Sequence, residues 1–384
     1  MNFEFATAPR IIFGPGTFSQ IGTIAKSDGQ RALVVTGRNP LRAEPLLARL
    51  RGNSIDAVVF SVVGEPEIET VRLGVARAKR EQCDQVIGFG GGSALDAGKA
   101  IAALLANDGD VLDYLEIIGR GKGLAKPPVH YIAIPTTAGT GAEVTRNAVL
   151  YSPEHRLKVS LRSPFMLPRV ALVDPELTHD LPSALTATTG LDALTQLIEP
   201  YVCLRANPMT DGLCVKGICL AARSLHRAVE HGGDAAARED MALASLFSGI
   251  ALANAGLGAV HGFAGPIGGR FTAPHGAVCA ALLPHVMAAN LRALRKRDPN
   301  NFAVTRYREI ARLLTADGEA TEDQAVEWVG KLVADLQIPN LRAYGIFASH
   351  TDELVANAAN ASSMKANPVA LTPAELAQIL EAAR

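Results

Sequence analysis

The chain has 384 residues, of which 48% are hydrophobic and 20% charged, a balance that suits a globular protein with one large core or two of ordinary size. Its formal net charge of −1 excludes the strongly basic surface of a nucleic-acid-binding or anionic-membrane-binding protein. The first residues lack a basic segment followed by an apolar run, and the five cysteines form no CxxC pair. We therefore expect a cytoplasmic protein whose cysteines, Cys279 among them, are reduced structural thiols, with no membrane or nucleic-acid partner.

The first half of the chain alternates short apolar runs with helical patterns. Strands are predicted at residues 10–13, 31–36, 56–62, 85–89, 130–134 and 170–173. Helical spacing follows several of them, at residues 42–50, 69–80 and 94–105. Continuous apolar strands separated by helices are typical of a parallel sheet covered on both faces.

The pattern changes near residue 180, where the strand signals stop and the chain becomes rich in Ala and Leu at helical spacing. The segment Leu181-Pro182-Ser183 predicts a helix start, with Ser183 as the capping residue. The sequence therefore predicts two domains: an α/β nucleotide-binding domain over residues 1–180 and an all-helical domain over residues 181–384.

A glycine-rich segment, GFGGGSALDAGK at residues 88–99, lies between a predicted strand and a predicted helix. Such a turn exposes backbone N–H groups and a helix N-terminus to an anion, which favours phosphate binding. The segment matches neither common motif, because Ser93 stands where both the P-loop and the dinucleotide fingerprint need Gly. A tight turn without a ligand is the alternative.

A carboxylate and two imidazoles form a second candidate site. Asp192 and Gln196 are four residues apart on a predicted helix and so share a face. His261 and His275 follow in a Gly-rich segment. One carboxylate with two histidines is a common ligand set for zinc or ferrous iron, although buried structural histidines are the alternative.

Four long motifs, in this order along nearly the whole chain, resemble those of the iron-containing (group III) alcohol dehydrogenases. This resemblance implies an α/β dinucleotide-binding domain followed by an all-α metal and substrate domain, the fold shared with dehydroquinate synthases. It also implies an NAD(P)-dependent oxidoreductase that acts on a small alcohol or aldehyde, and a homodimer. The motifs are GGGSALDAGKA, IPTTAGTGAEVT, LDALTQLIEPYV and VHGFAGPIGGRFTAPHGAVCAALLPHVMAAN.

The resemblance also implies a set of cofactor-binding residues. Those in the glycine-rich segment would hold the pyrophosphate, and the threonines would line the cofactor site. An asparagine and a lysine would lie nearer the nicotinamide and ribose. The implied residues are Gly91, Gly92, Ser93, Asp96, Thr136, Thr137, Thr140, Asn147 and Lys158.

The cofactor preference is predicted from the end of the second strand, where NAD-preferring members often carry an acidic residue. Gly37 and Arg38 stand there instead. The missing carboxylate removes repulsion against a 2′-phosphate, and Arg38 could pair with one. We therefore expect use of NADP or of both cofactors, the alternative being that Arg38 is a solvated loop residue.

The family's metal is usually held by an Asp, a His four residues later, and two further His fourteen apart. Asp192, His261 and His275 match this set, whereas Gln196 replaces a His. We expect a non-standard, three-ligand Fe²⁺ or Zn²⁺ site with Gln196 at most a weak ligand; an empty site is the other outcome. Many members carry a further His at the position of Gly265, so no catalytic proton relay is assigned here.

Three other functions remain open at this point. A metal-independent reductase of the maleylacetate reductase type is mildly favoured by the lost histidine ligand, whereas the Asp192 and Asp96 motifs argue against it. A non-catalytic nucleotide-binding relative is the second alternative. A 3-dehydroquinate synthase-like lyase is disfavoured, because the segment from His261 to His275 offers only Arg270 to a polyanionic substrate.

Overall fold

The computed structural model describes residues 2–384, which divide into two compact units. One unit is Ala6–Thr178, and the other is His179–Arg384 together with residues 2–5. The first unit is α/β and the second is all helical, which confirms the predicted fold class.

The α/β unit is built on one parallel sheet of six strands, and all six predicted strands are present to within one residue. A separate antiparallel hairpin, β6 with β7, was not predicted; β6 alternates buried and partly exposed residues, the pattern of a half-buried strand. The strands are β1 (Arg10–Phe13), β2 (Arg31–Thr36), β3 (Asp56–Ser61), β4 (Gln85–Gly90), β5 (His130–Pro135), β6 (Asn147–Ser152), β7 (Leu157–Arg162) and β8 (Val170–Val173). The sheet order is β1-β8-β5-β4-β2-β3.

Helices cover both faces of this sheet, because successive side chains of a strand point to opposite sides. Leu33 and Val35 of β2 belong to one core cluster, and Ala32 and Val34 belong to another. Each face is therefore packed, as a parallel sheet requires. The helices of this unit are α1 (Ile21–Asp28), α2 (Glu44–Gly52), α3 (Ile68–Arg80), α4 (Gly92–Ala106) and α5 (Val111–Tyr114).

The helical unit is organised around its first helix, α6, which is buried along most of its length and packs against α7, α8 and α10. Pro182 occupies the position before α6, and Ser183 is its first residue, so the prediction of Ser183 as the cap is wrong. The helices are α6 (Ser183–Val202), α7 (Pro208–Glu230), α8 (Ala235–Asn254), α9 (Ala259–Arg270), α10 (His275–Arg297), α11 (Phe302–Thr315), α12 (Glu322–Asp335), α13 (Thr351–Asn360) and α14 (Pro373–Ala382).

The helix α10 is long and apolar enough to cross a membrane by length and composition alone. However, 83% of its most apolar window is buried inside the protein. Its hydrophobicity is therefore explained by packing within the helical unit.

Candidate metal centre and cofactor-binding loop

Three predicted metal ligands meet within the helical unit, although they lie far apart in sequence. Asp192 is in the middle of α6, His261 is in the first turn of α9, and His275 is the first residue of α10. Asp192 Oδ1 lies 3.6 Å from His261 Nε2 and 3.7 Å from His275 Nε2. The fold thus brings one carboxylate oxygen and two imidazole nitrogens to a common point.

A fourth side chain, Cys279, joins this cluster. It lies one helical turn after His275, and its Sγ is 3.7 Å from His275 Nε2 and 3.8 Å from His261 Nε2. The four candidate ligand atoms all lie within 4.8 Å of one another. From the sequence, Cys279 is expected to be a structural thiol. Its i, i+4 spacing from His275 on a predicted helix could have indicated that both side chains share one site.

The spacing of these atoms fits a divalent cation. Hydrogen bonds between nitrogen and oxygen are normally 2.7–3.2 Å long, whereas the carboxylate–imidazole distances here are 3.6 and 3.7 Å. Two ligands of one tetrahedral zinc ion are about 3.3–3.6 Å apart. Moreover, Asp192 Oδ1 is buried without a hydrogen-bond partner among the described residues. A cation would satisfy this oxygen.

The electrostatics of the cluster also favour positive charge. Burial raises the pKa of the Asp192 carboxyl, but His275 and His261 outweigh this effect and hold the pKa at about 2. Burial lowers the pKa of His261, yet Cys279, Glu199 and Asp192 raise it well above its usual value. Burial raises the pKa of Cys279 to about 12, so its thiolate would form only beside a cation.

Glu199 orients His261 from behind. The His261 Nδ1 is 2.6 Å from Glu199 Oε2, and Glu199 Oε1 accepts a hydrogen bond of 2.7 Å from the Val260 backbone N–H. Because a carboxylate only accepts, Nδ1 carries a proton, and Nε2 is therefore the ring atom that would ligate a cation in place of its own proton. This carboxylate–histidine pair is the usual support of a metal-ligating imidazole, and sequence analysis did not identify it.

Gln196 is buried next to the cluster and engages two neighbours. Its Oε1 accepts a hydrogen bond of 3.4 Å from Ser248 Oγ, and its side chain helps to lower the pKa of Asp192. Since the carbonyl faces Ser248 and a carboxylate only accepts, the amide N–H group is what faces Asp192.

Two glycines shape the surroundings of the cluster. A Cβ on Gly276 would lie 2.4 Å from the Thr188 carbonyl oxygen, so Gly allows the start of α10 to approach α6 closely. A Cβ on Gly265 would meet no atom of the described chain within 4 Å. One turn after His261, Gly265 therefore leaves open space.

The glycine-rich segment and the threonine segment lie together at the carboxyl edge of the sheet. Thr136 N–H donates to the Gly90 carbonyl, at 2.9 Å, which joins the ends of β5 and β4. A Cβ on Gly92 would lie 3.0 Å from the Thr140 side chain, and one on Gly91 would lie 3.3 Å from Thr137. The fold therefore brings these predicted residues together at the start of α4, beside Ser93 in its first turn.

Lys99 anchors the segment that follows the predicted threonines, residues 142–147. It is 1% exposed, and its Nζ donates to the Ala142 carbonyl, the Thr145 hydroxyl and the Asn147 carbonyl at 2.8–2.9 Å. Burial lowers the pKa of Lys99 and raises that of Asp96, whose carboxylate is 3.7 Å away. The sequence predicts no structural role for Lys99, because its position is notable there only as that of a P-loop lysine, a motif that Ser93 excludes.

Asp96, Asn147 and Lys158 lie on neighbouring elements. Asp96 Oδ2 accepts a 3.1 Å hydrogen bond from the backbone N–H of Val149. Val149 lies two residues after Asn147 on β6. Lys158 on β7 forms a 2.8 Å ion pair with Glu65 and keeps only 7% of its side chain exposed.

Gly37 and Arg38 follow β2 at the same edge of the sheet. A Cβ on Gly90 would lie 3.5 Å from the Gly37 nitrogen, so Gly37 borders the glycine-rich segment. Arg38 is exposed. Both therefore lie where a nucleotide held by the start of α4 would extend.

A parallel α/β unit with a glycine-rich turn, followed by a helical unit with a metal-capable cluster, defines the class of metal-assisted nicotinamide dehydrogenases. Residues 8–175 match the family described as iron-containing alcohol dehydrogenase. Residues 186–384 match the C-terminal region of the Fe-containing alcohol dehydrogenase family. The chain belongs to the iron-containing alcohol dehydrogenase family, and it is an oxidoreductase of the alcohol dehydrogenase type.

Individual relatives match this chain over nearly its full length. The 1,3-propanediol dehydrogenase of Citrobacter freundii is 37% identical over 395 residues, covering 99% of this chain and 98% of that protein. The crystal structure of a 1,3-propanediol oxidoreductase has a TM-score of 0.92 at 35% identity, with 100% of both chains covered. A sulfoacetaldehyde reductase from Bifidobacterium kashiwanohense, solved with NAD⁺, has a TM-score of 0.87 at 27% identity, covering 99% and 98% of the chains.

The metal site differs from the one that the sequence predicts. The departure at Gln196 predicted a non-standard site. Instead, Asp192, His261, His275 and Cys279 form a compact cluster that looks like a typical metal site of this family. The physical reason is that helix α10 supplies two candidate ligands from successive turns, which the sequence comparison at position 196 could not reveal.

Proposed function

We propose that this protein catalyses reversible hydride transfer between a nicotinamide cofactor and the carbon of a small alcohol or aldehyde, assisted by a divalent metal. Asp192, His261 and His275 would hold the metal. The observation that carries this proposal is the buried Asp192 Oδ1, unpartnered among the described residues and facing two imidazole nitrogens at 3.6 and 3.7 Å.

The residues of the chain have defined tasks in this reaction. Bound in the cluster, the metal supplies Lewis acidity that polarises the carbonyl oxygen. Glu199 keeps His261 in the tautomer that can ligate. In the reductive direction the aldehyde gains a hydride from NAD(P)H and a proton, giving the alcohol and NAD(P)⁺. Gly265 carries no acid, so the proton would come from water or the cofactor ribose.

The cofactor would lie along the carboxyl edge of the sheet. We assign the pyrophosphate to the N–H groups of Gly91, Gly92 and Ser93 at the start of α4, since a helix N-terminus attracts phosphate. The Thr136, Thr137 and Thr140 segment packs against this turn and would line the cofactor. Asp96 braces β6, while Asn147 and Lys158 lie on the adjacent hairpin, on the side assigned to the ribose and nicotinamide.

NADP use, alone or beside NAD, is the finer part of the proposal. The exposed Arg38 follows β2, and no carboxylate occupies positions 37 to 39. An arginine there can pair with a 2′-phosphate by charge-assisted hydrogen bonds. The cytoplasmic location and the homodimer remain predictions from the sequence.

A metal-independent reductase is the second candidate, favoured by the observation that Gln196 stands where the family usually has a histidine. In that case the cluster would be structural and turnover would not need a metal. The unpartnered carboxylate oxygen among the described residues argues for the metal-dependent function.

The test is cofactor oxidation with metal-depleted and reloaded protein. We expect NADPH and NADH oxidation with short aldehydes, such as 3-hydroxypropanal, to be lost after chelation and restored by zinc or ferrous iron. Full activity of the metal-depleted protein would favour the second candidate. Failure to reduce any aldehyde under every metal supplement, with cofactor still bound, would indicate a non-catalytic relative.

A further inference from the structure

Cys279 lies in the metal cluster, although no part of the proposed function yet uses it. Its Sγ is 3.7 and 3.8 Å from the Nε2 atoms of His275 and His261, and the residue is buried. A single S–H group can donate to only one of the two nitrogens. Both imidazoles nevertheless face the sulfur, at distances only about 0.1–0.2 Å longer than the spacing of two ligands on one tetrahedral zinc ion.

Gln196 is not available for the same task. Its carbonyl oxygen accepts a hydrogen bond from Ser248 at 3.4 Å, and its amide group helps to lower the pKa of Asp192. Ligation by the carbonyl would require the amide to turn and its hydrogen bond with Ser248 to break. Gln196 therefore offers no ligand atom in this arrangement, and the fourth candidate ligand atom of the cluster is the sulfur.

We infer that Cys279 binds the metal as a thiolate and makes this a zinc site with mixed oxygen, nitrogen and sulfur ligands. The inference deepens the proposed function and rests on it. When the ion enters, the sulfur–metal bond forms and the S–H bond breaks, with the proton released to solvent. Thiolate ligands favour zinc over ferrous iron in sites of this kind. Catalytic zinc sites sometimes accept a fifth ligand, so an ion held by these four side chains would still leave room for a substrate oxygen.

Access to the site is consistent with this arrangement. The His275 side chain is 32% exposed, whereas those of Asp192 and His261 are 2% and 8% exposed. Asp192, His261 and Cys279 are thus buried, and His275 is the member of the cluster whose side chain reaches solvent.

Cobalt substitution tests this inference independently of turnover. The wild-type protein loaded with one equivalent of Co²⁺ should show a sulfur-to-cobalt charge-transfer band in the near ultraviolet. Cys279→Ser should lose the band, while Cys219→Ser, which changes the partly exposed cysteine on α7, should keep it. In competition titrations Cys279→Ser should also reduce the preference for zinc over ferrous iron at least about tenfold.

The outcomes separate this inference from the proposed function. A wild-type protein that binds one cobalt ion without the band contradicts thiolate ligation and leaves the metal-assisted reaction standing. A band that survives in Cys279→Ser also overturns the inference. A wild-type protein that binds no metal but reduces aldehydes contradicts the proposed function itself. The wild-type spectrum needs no variant, so misfolding of a variant cannot decide the result.

Discussion

At the scale of single residues, His261 is held at both ends of its ring. One nitrogen is fixed by Glu199 at 2.6 Å, and the other faces Asp192 and Cys279. The ring therefore cannot rotate without breaking a buried, charge-assisted hydrogen bond. The quality of the metal site depends on Glu199 as much as on the ligands themselves.

Glu199→Gln should weaken metal binding by about 10–100-fold, because the amide no longer fixes the tautomer and orientation of His261. The measurement is competition of the protein with a chromophoric chelator for zinc. Glu327→Gln, on the exposed face of α12, is the matched control and should bind zinc like the wild type. Equal affinity of Glu199→Gln and the control would contradict this role.

Arg38 should decide the discrimination between the two nicotinamide cofactors. Arg38→Gln should raise the KM for NADPH about tenfold, the loss of one charge-assisted contact, and leave the KM for NADH unchanged. Steady-state kinetics with both cofactors and one aldehyde measures this. If both KM values change equally, or neither changes, Arg38 does not contact a 2′-phosphate.

Glu143 makes stability depend on pH. It is 2% exposed, and burial raises its pKa from 4.5 to about 7. The folded protein therefore binds this proton more tightly than the unfolded chain, and the wild type loses stability as pH rises from 4.5 to about 7. Glu143→Gln should be more stable than the wild type by about 3 kcal/mol near pH 8, and the difference should vanish below pH 4.5.

Chemical denaturation of the wild type and Glu143→Gln near pH 8 and below pH 4.5 tests this prediction. A constant difference between Glu143→Gln and the wild type across the pH range would show that the carboxyl titrates in the same way in the folded and unfolded protein. A wild type that becomes more stable on raising the pH from 5 to 7 relative to the variant would reverse the sign and contradict the account.

At the scale of secondary structure, the metal cluster depends on how closely helices approach. Gly276 lies at the start of α10, and an added Cβ would sit 2.4 Å from the Thr188 carbonyl of α6. Gly276→Ala must push the two helices apart, and this shift moves His275 and Cys279 away from Asp192. We expect a loss of about 1–3 kcal/mol in stability and a marked loss of zinc affinity.

Gly265→Ala provides the matched control on α9, because the same substitution there meets no atom of the described chain within 4 Å. It should keep the zinc affinity and gain a little helix stability. Thermal unfolding and zinc titration of the two variants measure both effects. Equal zinc affinity of the two variants would contradict the close-approach explanation.

Elements with strong local signals could be predicted from sequence. The six strands of the parallel sheet are continuous apolar runs, so their positions follow from composition. The hairpin of β6 and β7 was missed because its alternating residues give a weaker signal. Asp192, His261 and His275 were found by residue type and family spacing. The roles of Lys99 and Glu199 were missed because they depend on contacts with residues 43 and 62 positions away in sequence. The role of Cys279 was missed because the sequence predicts a structural thiol there.

At the scale of the whole molecule, the two units carry different chemistry. The α/β unit carries the glycine-rich turn, the threonine segment and Lys99, which fixes them. The helical unit carries the cluster of Asp192, His261, His275 and Cys279. This division follows from the fold, because a parallel sheet gathers loops at its carboxyl edge, whereas packed helices direct side chains into a shared core.

The central claim is that a metal ion held by the helical unit is required for turnover. Its most direct test is the metal content and aldehyde reduction of a variant in which Asp192, His261 and His275 are all replaced by alanine, with circular dichroism to verify folding. We expect a folded variant that binds no zinc or iron and shows no measurable turnover. A folded variant with the metal content and turnover of the wild type would contradict the claim.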